Sequence, residues 1–572
     1  MMLKKTTVVM VLVMLSQMLL AQDERFVPKP VPASPEKPQL QLPQQQQPAD
    51  VRDAVLVERL DTLLVTSSLA VLDSSIGREG GVELHALQPD VGDGLKAVLQ
   101  PFIGQPVSLA LLDRINRQIV SWYRQHGYPV SDALAPGGQD ITDGRVQITV
   151  LVARRGAVSA QGGRYFDNAD LLDRFAIAEG EYLGDAALQR ELDWANRNPF
   201  RSVNLQLAAG DRPGFTDLNL LVQDRLPLRV YGGVEDTGNE FSGKRRWLAG
   251  INWGNAFGLG HQLGYQYITA ERVNQLSGHS LSYSADLPWR NSLSAYASRI
   301  STRPDLDNNL SQASRTVSAG FRYHLPWLSQ GSLQLDGSLG YAYVRSNSNL
   351  EFGGQQVFAN DYEVSQLLAG LTLDWQQSTG STHLAADLHI SPGGMTTDND
   401  DRAFEASRSG ASADYQYLAV SASHRQQLPA GLETVNELRG QLASGNLVSS
   451  EQFGLGGYAS IRGYDEYALI GDHGLLLRNE LRLGGWNPAQ ALFGSPLPES
   501  LQGLVFFDIG MATIADPLPG EQKTSNLRSA GLGLRYQLSH HVTARLDYGW
   551  QLKALAGEKR DSRGHFSLIV AF

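Results

Sequence analysis

The residues with the sharpest chemistry in this 572-residue chain are an arginine and an aspartate that lie far apart in sequence. Arg462 falls in Glu-Gln-Phe-Gly-Leu-Gly-Gly-Tyr-Ala-Ser-Ile-Arg-Gly-Tyr, Glu451 to Tyr464, and Asp508 is the solitary acid of Phe506-Phe507-Asp508-Ile509-Gly510. A guanidinium presents a planar fork of donors that a carboxylate accepts two at a time. At about 4 Å such a pair attracts by roughly 4 kcal/mol at an effective dielectric near 20, and by less in a wet cavity. The chemistry on offer is anchoring rather than catalysis. A side-chain period of two puts Leu504, Phe506, Asp508 and Gly510 on one strand face, opposite the uniformly apolar Val505, Phe507 and Ile509. Arg478 and Arg482, which share a face with Glu480, are rival partners for Asp508.

Enzymatic and metal chemistry find less support. Cysteine is absent, which excludes a thiolate nucleophile, a disulfide framework and a Cys-based zinc site. Gly278-His279-Ser280-Leu281-Ser282 lacks the second glycine of a G-x-S-x-G elbow and lies in a strand pattern. His540 and His541 are adjacent in a short turn and are expected to point apart into solvent. Asp398-Asn399-Asp400-Asp401 lacks the further spaced oxygen donors of a calcium loop. No catalytic residue, metal or cofactor is assigned. A net charge of -11, from 48 Lys and Arg against 59 Asp and Glu, with no basic run, argues against a nucleic-acid partner.

The elements that must position the pair follow from the rest of the chain. Lys4 and Lys5 precede the apolar run Val8 to Leu15 and a small-residue exit at Ala21, the pattern of a secretory signal peptide over 1–21. The run is too short to span a bilayer as a helix, which needs about 20 residues. Residues 22–61 are Pro- and Gln-rich and read as an extended tether. Strand and helix patterns then alternate twice, predicting small α+β domains at 62–153 and 154–225. In the first, Ser108 caps a helix with Leu112, Ile115, Ile119 and Trp122 on its apolar face, and a strand follows from Val146 to Val150. In the second, a helix from Asp185 ends by Asn198-Pro199, before a hairpin turning at Gly210 to Gly214.

From 226 to 572 the pattern changes to short alternating strands. Val542, Ala544, Leu546, Tyr548 and Trp550 oppose Thr543, Arg545, Asp547 and Gly549, and the preceding strand repeats the arrangement. Apolar residues outward and ions inward predict a transmembrane barrel with a wet lumen rather than a soluble β-sandwich. About sixteen strands are legible. Brief turns at Pro288 to Asn291, Pro326 to Gly331 and Gln377 to Gly380 are expected in the periplasm, with longer outer loops such as Ser346 to Tyr362 and Ser391 to Ala411. The longest connection, 445–472, combines Gly454, Gly456, Gly457 and Gly463 with an apolar and aromatic set, so it is expected to fold back into the lumen with Arg462 at its tip.

Ile461-Arg462-Gly463-Tyr464 resembles the loop-six motif (Val/Ile-Arg-Gly-Tyr/Phe) of the Omp85 superfamily, and Phe506-x-Asp508-x-Gly510 matches its strand partner. The two α+β units resemble POTRA domains. Asn198-Pro199-Phe200-Arg201 and its Pro-Gly hairpin resemble the second POTRA domain of two-partner secretion transporters of the FhaC and ShlB type. The resemblance runs from about 62 to Phe572, whose terminal aromatic resembles an outer-membrane assembly signal. It implies two POTRA domains and a 16-stranded antiparallel barrel in a Gram-negative outer membrane. The implied task is ATP-free translocation of a large, unfolded TpsA-type exoprotein to the cell surface. Lipid, the barrel-assembly machinery and periplasmic chaperones are the other implied partners. A BamA-like insertase, sharing loop six, is the alternative; a porin or receptor needs no tandem POTRA units. Some members of the transporter branch carry an N-terminal plug helix. The proline-studded N-terminus here cannot make a long one, leaving 445–472 as the expected lumen obstruction.

Overall fold

The computed structural model describes residues 27–32, 40–41, 54–73, 76, 79–90, 92, 94–239, 241–306, 310–352, 355–494, 497–555 and 559–572. The expected signal peptide lies outside the described residues. The chain forms two units: one spans Ser34–Arg225, and the other joins residues 27–32 to Leu226–Phe572.

The first unit contains two four-stranded sheets. One has the order Gly81–His85, Thr62–Thr66, Arg145–Val152, Ser131–Leu134. Thr62–Thr66 is buried at every position and pairs in parallel on both sides, as a strand covered on both faces must. The helix Leu109–Gln125 is capped by Ser108, whose hydroxyl accepts from the Leu111 N–H at 3.2 Å. Its buried stripe is Leu111, Ile115, Ile119, Val120 and Tyr123, with Leu112 and Trp122 at the partly buried margin. The helix is thus rotated slightly from the face read in the sequence. The second sheet has the order Leu40–Gln41, Arg201–Ala209, Phe215–Asp224, Arg154–Gly162, with the helix Asp185–Ala195 burying Leu188 and Leu192.

The reading of 22–61 as a plain tether needs correction. Leu40 and Gln41 pair in parallel with Leu205 and Gln206, Val55–Val57 pairs with Val107–Ser108, and Leu60 is fully buried in the first core. Apolar residues scattered among prolines are enough to add to an open sheet edge.

In the second unit sixteen antiparallel strands close a barrel. The first eight are β1 (Leu228–Glu235), β2 (Arg246–Ala256), β3 (His261–Ala270), β4 (Leu276–Asp286), β5 (Ser292–Thr302), β6 (Leu310–Gln330), β7 (Leu333–Phe352) and β8 (Gln355–Gln376). The rest are β9 (Gly380–Pro392), β10 (Asp414–Gln427), β11 (Glu433–Ala443), β12 (His473–Arg482), β13 (Glu499–Thr513), β14 (Thr524–Leu538), β15 (Val542–Gln551) and β16 (Ser562–Ala571). Closure pairs β1 with β16 from Tyr231↔Ala571 to Glu235↔Ser567, and Val230 and Phe572 exchange backbone hydrogen bonds of 3.1 and 2.9 Å. On β15, Leu546, Tyr548 and Trp550 are exposed on the outside while Asp547 and Gly549 are buried within. That is the alternation of a wall with lipid on one side and polar contents on the other. Among the described residues no helix is long and apolar enough to cross a membrane.

Three connections depart from expectation. Ser346 to Tyr362 is largely strand: β7 continues to Phe352 and β8 begins at Gln355, with Ser346, Asn347 and Ser348 still in register with Thr316, Arg315 and Ser314. Polar Ser and Asn side chains suit a ladder that continues beyond the membrane into water, and their polarity reads as loop. β6 likewise runs through Pro326, with a register shift between Pro326 and Leu328. The β12–β13 connection, on the side of the brief turns, is long and carries the helix Pro488–Phe493.

Candidate functional site

The segment between β11 and β12 turns back into the barrel. Phe453–Leu455 and Leu469–Gly471 pair as an antiparallel hairpin, and Leu455, Ile461 and Tyr464 bury against the wall residues Leu476, Ala512 and Leu527. This satisfies the loop's unusual apolar content. Gly456, Gly457 and Gly463 adopt positive φ. At Gly457 space is decisive as well, since a Cβ would meet the Glu466 carboxylate that accepts the Tyr458 N–H at 2.6 Å. Gly454 leaves room for the Tyr467 ring.

Arg462 is completely buried at the tip. Its Nε donates to Asp508 Oδ2 at 2.7 Å and its Nη2 to Asp508 Oδ1 at 2.7 Å, the bidentate fork, while its backbone N–H reaches Asp508 Oδ2 at 3.2 Å. Nη1 donates to Glu480 Oε1 at 2.5 Å and lies 3.5 Å from Asp547 Oδ1. The guanidinium carbon sits 3.6 Å from the centre of the Phe506 ring, within cation–π reach. Phe506, Asp508 and Gly510 therefore serve one tip: a ring under the cation, a carboxylate against its fork, and an absent side chain where a Cβ would lie 2.7 Å from Ile461 Cδ1.

The wall around this fork is a mesh of charges. Glu480 also accepts from Arg482 Nη2 at 2.7 Å and Arg535 Nη2 at 2.9 Å, and Asp547 from Arg535 Nη1 at 2.8 Å and Arg545 Nε at 2.6 Å. Arg545 also donates to Tyr458 O at 2.9 Å and stacks over the Tyr458 ring at 4.0 Å. The rival partner Arg478 pairs with Glu437 at 2.8 Å and approaches Asp508 no closer than 4.0 Å; Arg482 is engaged by Glu480. Buried ions arranged this way are costly to separate: removing one partner of such a pair costs about 3–5 kcal/mol, because it strands the other charge.

Gly463 and Tyr464 fix the tip against β14–β16. The Gly463 N–H donates to His565 Nε2 at 3.1 Å, and Gln551 Nε2 donates to Gly463 O at 2.9 Å. The Tyr464 hydroxyl lies 2.8 Å from Arg528 O and 2.5 Å from Lys553 O. Glu480, Asp547, Tyr458, Glu466 and His565 complete the site without having been singled out from sequence as tip contacts. Inward alternation on β12 and β15 marks Glu480 and Asp547 as luminal, but cross-strand register alone does not show which cation they meet.

Near the far rim Asp472 is fully buried and ties three connections together. It accepts from Leu447 N at 2.9 Å and Ala515 N at 2.9 Å and is forked by Arg408, which follows the helix Asp401–Ser407. That helix begins at Asp400, whose carboxylate accepts from Ala403 N at 2.8 Å, while Asp401 accepts from Ala413 N at 2.9 Å. These acids of the 398–401 run thus serve loop architecture.

The loop is not the sole occupant of the lumen, contrary to expectation. Residues 27–29 run against the inner wall: Lys29 Nζ pairs with Glu235 at 2.8 Å, Lys29 N donates to Tyr231 Oη at 2.9 Å, and Asn252 Nδ2 donates to Lys29 O at 3.3 Å. The prolines that rule out a long helix permit this extended course. His540 and His541 also differ from expectation, with ring centroids 4.1 Å apart rather than diverging. Phe572 is exposed beside the seam.

Comparisons with known proteins bear on this arrangement. A family model described as haemolysin secretion/activation protein ShlB/FhaC/HecB matches residues 214–536, and one described as POTRA domain, ShlB-type, matches 82–152. The heme/hemopexin transporter protein HuxB of Haemophilus influenzae is 24% identical over 408 residues, 69% of this chain and 70% of that protein. The outer membrane transporter CdiB of Dickeya dadantii is 25% identical over 423 residues, 68% of this chain and 69% of that protein. The solved structure of CdiB from Escherichia coli superposes with a TM-score of 0.71 at 18% identity, covering 94% of each chain. The family model spans more than half of the chain, which favours the transporter branch over the insertase alternative. Sixteen strands closed around an inward-folded loop, preceded by POTRA architecture, are thus accounted for together: the chain belongs to the ShlB/FhaC/HecB haemolysin secretion/activation family and is an outer-membrane pore of two-partner secretion.

Proposed function

We propose that this pore carries one large TpsA-type exoprotein, captured unfolded in the periplasm, and that Arg462 and Asp508 hold the 445–472 loop where it permits conduction. The observation that carries this reading is the fully buried Arg462 fork on Asp508, reinforced by Glu480 and Phe506. A cation so thoroughly desolvated and paired fixes a loop in one place. Capture falls to the periplasmic unit, whose outermost strands Gly81–His85, Ser131–Leu134 and Arg154–Gly162 offer main-chain donors and acceptors to an extended peptide. Such augmentation reads backbone more than side chains, which suits an unfolded cargo. Folding of the cargo outside would prevent its return without ATP. The barrel-assembly machinery and periplasmic chaperones would act during biogenesis.

The test is secretion of the partner exoprotein by Arg462→Ala, with barrel folding checked by heat-modifiable migration. The expected result is a folded barrel and secretion reduced at least tenfold, because Asp508 and Glu480 lose a shared cation. Undiminished secretion would refute the anchoring role. Exchanging Arg462 and Asp508 is a poor rescue design: it sets a carboxylate at the tip beside Glu480 and Asp547. In a strain lacking the gene, loss of one exoprotein with an unchanged outer-membrane profile is expected. A general loss of barrels would instead indicate insertion.

A further inference from the structure

The outer wall of β5, β6 and β7 changes chemistry at one level. Ascending on its outward face, β5 presents Leu293, Ala295 and Ala297, then Arg299; β6 presents Phe321, Ala319 and Val317, then Arg315; β7 presents Leu339, Tyr341 and Tyr343, then Arg345. Register makes these arginines neighbours: Arg299 lies opposite Val317, Val317 opposite Arg345, and Arg315 sits between Ser301 and Asn347. The lower edge of the band is marked by the bond from Trp289 Nε1 to Tyr323 Oη, 2.7 Å. From Tyr323 to Arg315 is roughly 27 Å along the strand at about 3.4 Å per residue, somewhat less than 25 Å in height once strand tilt is allowed for. The arginines therefore stand where acyl chains give way to headgroups.

At that level the wall is hollowed. A cavity of about 740 Å³ opens between the β3–β4 turn and the protruding β6–β7 strands, lined by Arg303, Arg315 and Arg345 together with Asn274, Asn347 and Asn349. The one acid among the lining residues, Asp361, is forked by Arg345 at 2.8 and 3.2 Å, and Arg345 also lies 3.7 Å from Glu363, so these charges offset one another and Arg303 and Arg315 remain to meet an anion. Among the described residues, Arg299, Arg303 and Arg315 make no side-chain ion pair or hydrogen bond, and each is exposed. Forked guanidiniums beside neutral amides match a phosphate carried on a hydroxyl-rich sugar. The volume suits a disaccharide.

We propose that this hollow binds the phosphorylated headgroup of an outer-leaflet glycolipid, whose acyl chains lie along Val317, Phe321 and Leu339. The site fixes one lipid against the wall that supports the protruding β6–β8 strands.

The test is native mass spectrometry of the full-length barrel in detergent, with diphosphoryl lipid A as probe. Arg303→Gln/Arg315→Gln is compared with wild type, and Arg272→Gln, a rim arginine paired with Asp305 outside the hollow, is the control. Only protein with the heat-modifiable migration of a folded barrel is scored. The expected result is a lipid adduct whose apparent affinity falls about tenfold or more in the double variant, the loss of two charge-assisted contacts. The control should be unchanged, and lipid A stripped of phosphate should bind about tenfold more weakly. Equal adducts in wild type and double variant would overturn the proposal. So would equal binding of the dephosphorylated lipid, an equal loss in the control, or displacement by millimolar inorganic phosphate, which would mark a small-anion site.

Discussion

Gly463 and Gly549 meet main chain to main chain: a Cβ on Gly549 would lie 2.7 Å from Gly463 N, and a Cβ on Gly463 would lie 2.8 Å from Gly549 O. Gly549 does not have a positive φ, so its own backbone accepts alanine, and the obstacle to a side chain is the loop tip itself. Gly549→Ala should therefore leave the barrel closed while lifting the tip off β15, at a cost of about 1–3 kcal/mol for the local overpacking. Trypsin added to intact cells reports the effect. Cleavage after Arg462 should be absent in wild type and detectable in the variant; identical protection would mean that the contact is not restrictive.

Asp472→Asn should loosen the far rim. The carboxylate accepts from Leu447 N and Ala515 N and is forked by Arg408, whereas an amide has one acceptor oxygen and no charge. Taking the carboxylate fork from this part-buried guanidinium costs about 1–3 kcal/mol, spent within loops that do not carry the barrel's hydrogen bonds. Single-channel recording in planar bilayers should show more frequent conductance excursions than wild type, with unchanged heat-modifiability. Quiet traces would show that the three connections hold without it.

Tyr123, fully buried in the first sheet's core, gives the periplasmic unit an alkaline limit. Burial, with Asp90 adding, pushes its phenol above the ordinary value of 10.0. The folded state thus holds the proton while the unfolded chain releases it. This stability is complete below about pH 10 and falls as pH rises further, by up to about 1.4 kcal/mol per pH unit. Urea unfolding of the Ser34–Arg225 unit between pH 9 and 11 should show that slope, and Tyr123→Phe should flatten it. An equal slope in both would place the titration elsewhere.

Much of this architecture is legible in the amino-acid sequence because barrels write their period into every strand. The alternation on β15 fixes which side Asp547 faces, and the uniform apolarity of Val505, Phe507 and Ile509 does the same for Asp508. What sequence leaves open is whatever depends on cross-strand register or on chain folding back. Glu480 meets Arg462 because β12 pairs with β13 so that Arg478 lies opposite Asp508, a fact set by hydrogen-bond stagger. The extended β7 and β8 are missed because Ser and Asn ladders look like loop. The luminal course of 27–29 and the strand at Leu40–Gln41 are missed because proline content signals only what a segment cannot be.

The most direct measurement uses the absence of native cysteine. Ile461→Cys with Gly510→Cys places two thiols at a contact where a Cβ on Gly510 would lie 2.7 Å from Ile461 Cδ1; because that methyl stands two bonds, about 2.5 Å, beyond the Ile461 Cβ, the two Cβ atoms fall within about 5 Å, close to the roughly 3.5–4.5 Å a disulfide spans. Mild oxidation of outer membranes from resting cells should give near-complete crosslinking, read as a shift in gel migration that reductant reverses. In the single variant Ile461→Cys, the loop thiol should resist a bulky, impermeant maleimide added to intact cells. No crosslink in the double variant, together with ready labelling of the loop thiol from outside, would contradict an inward loop held on β13 by Arg462 and Asp508.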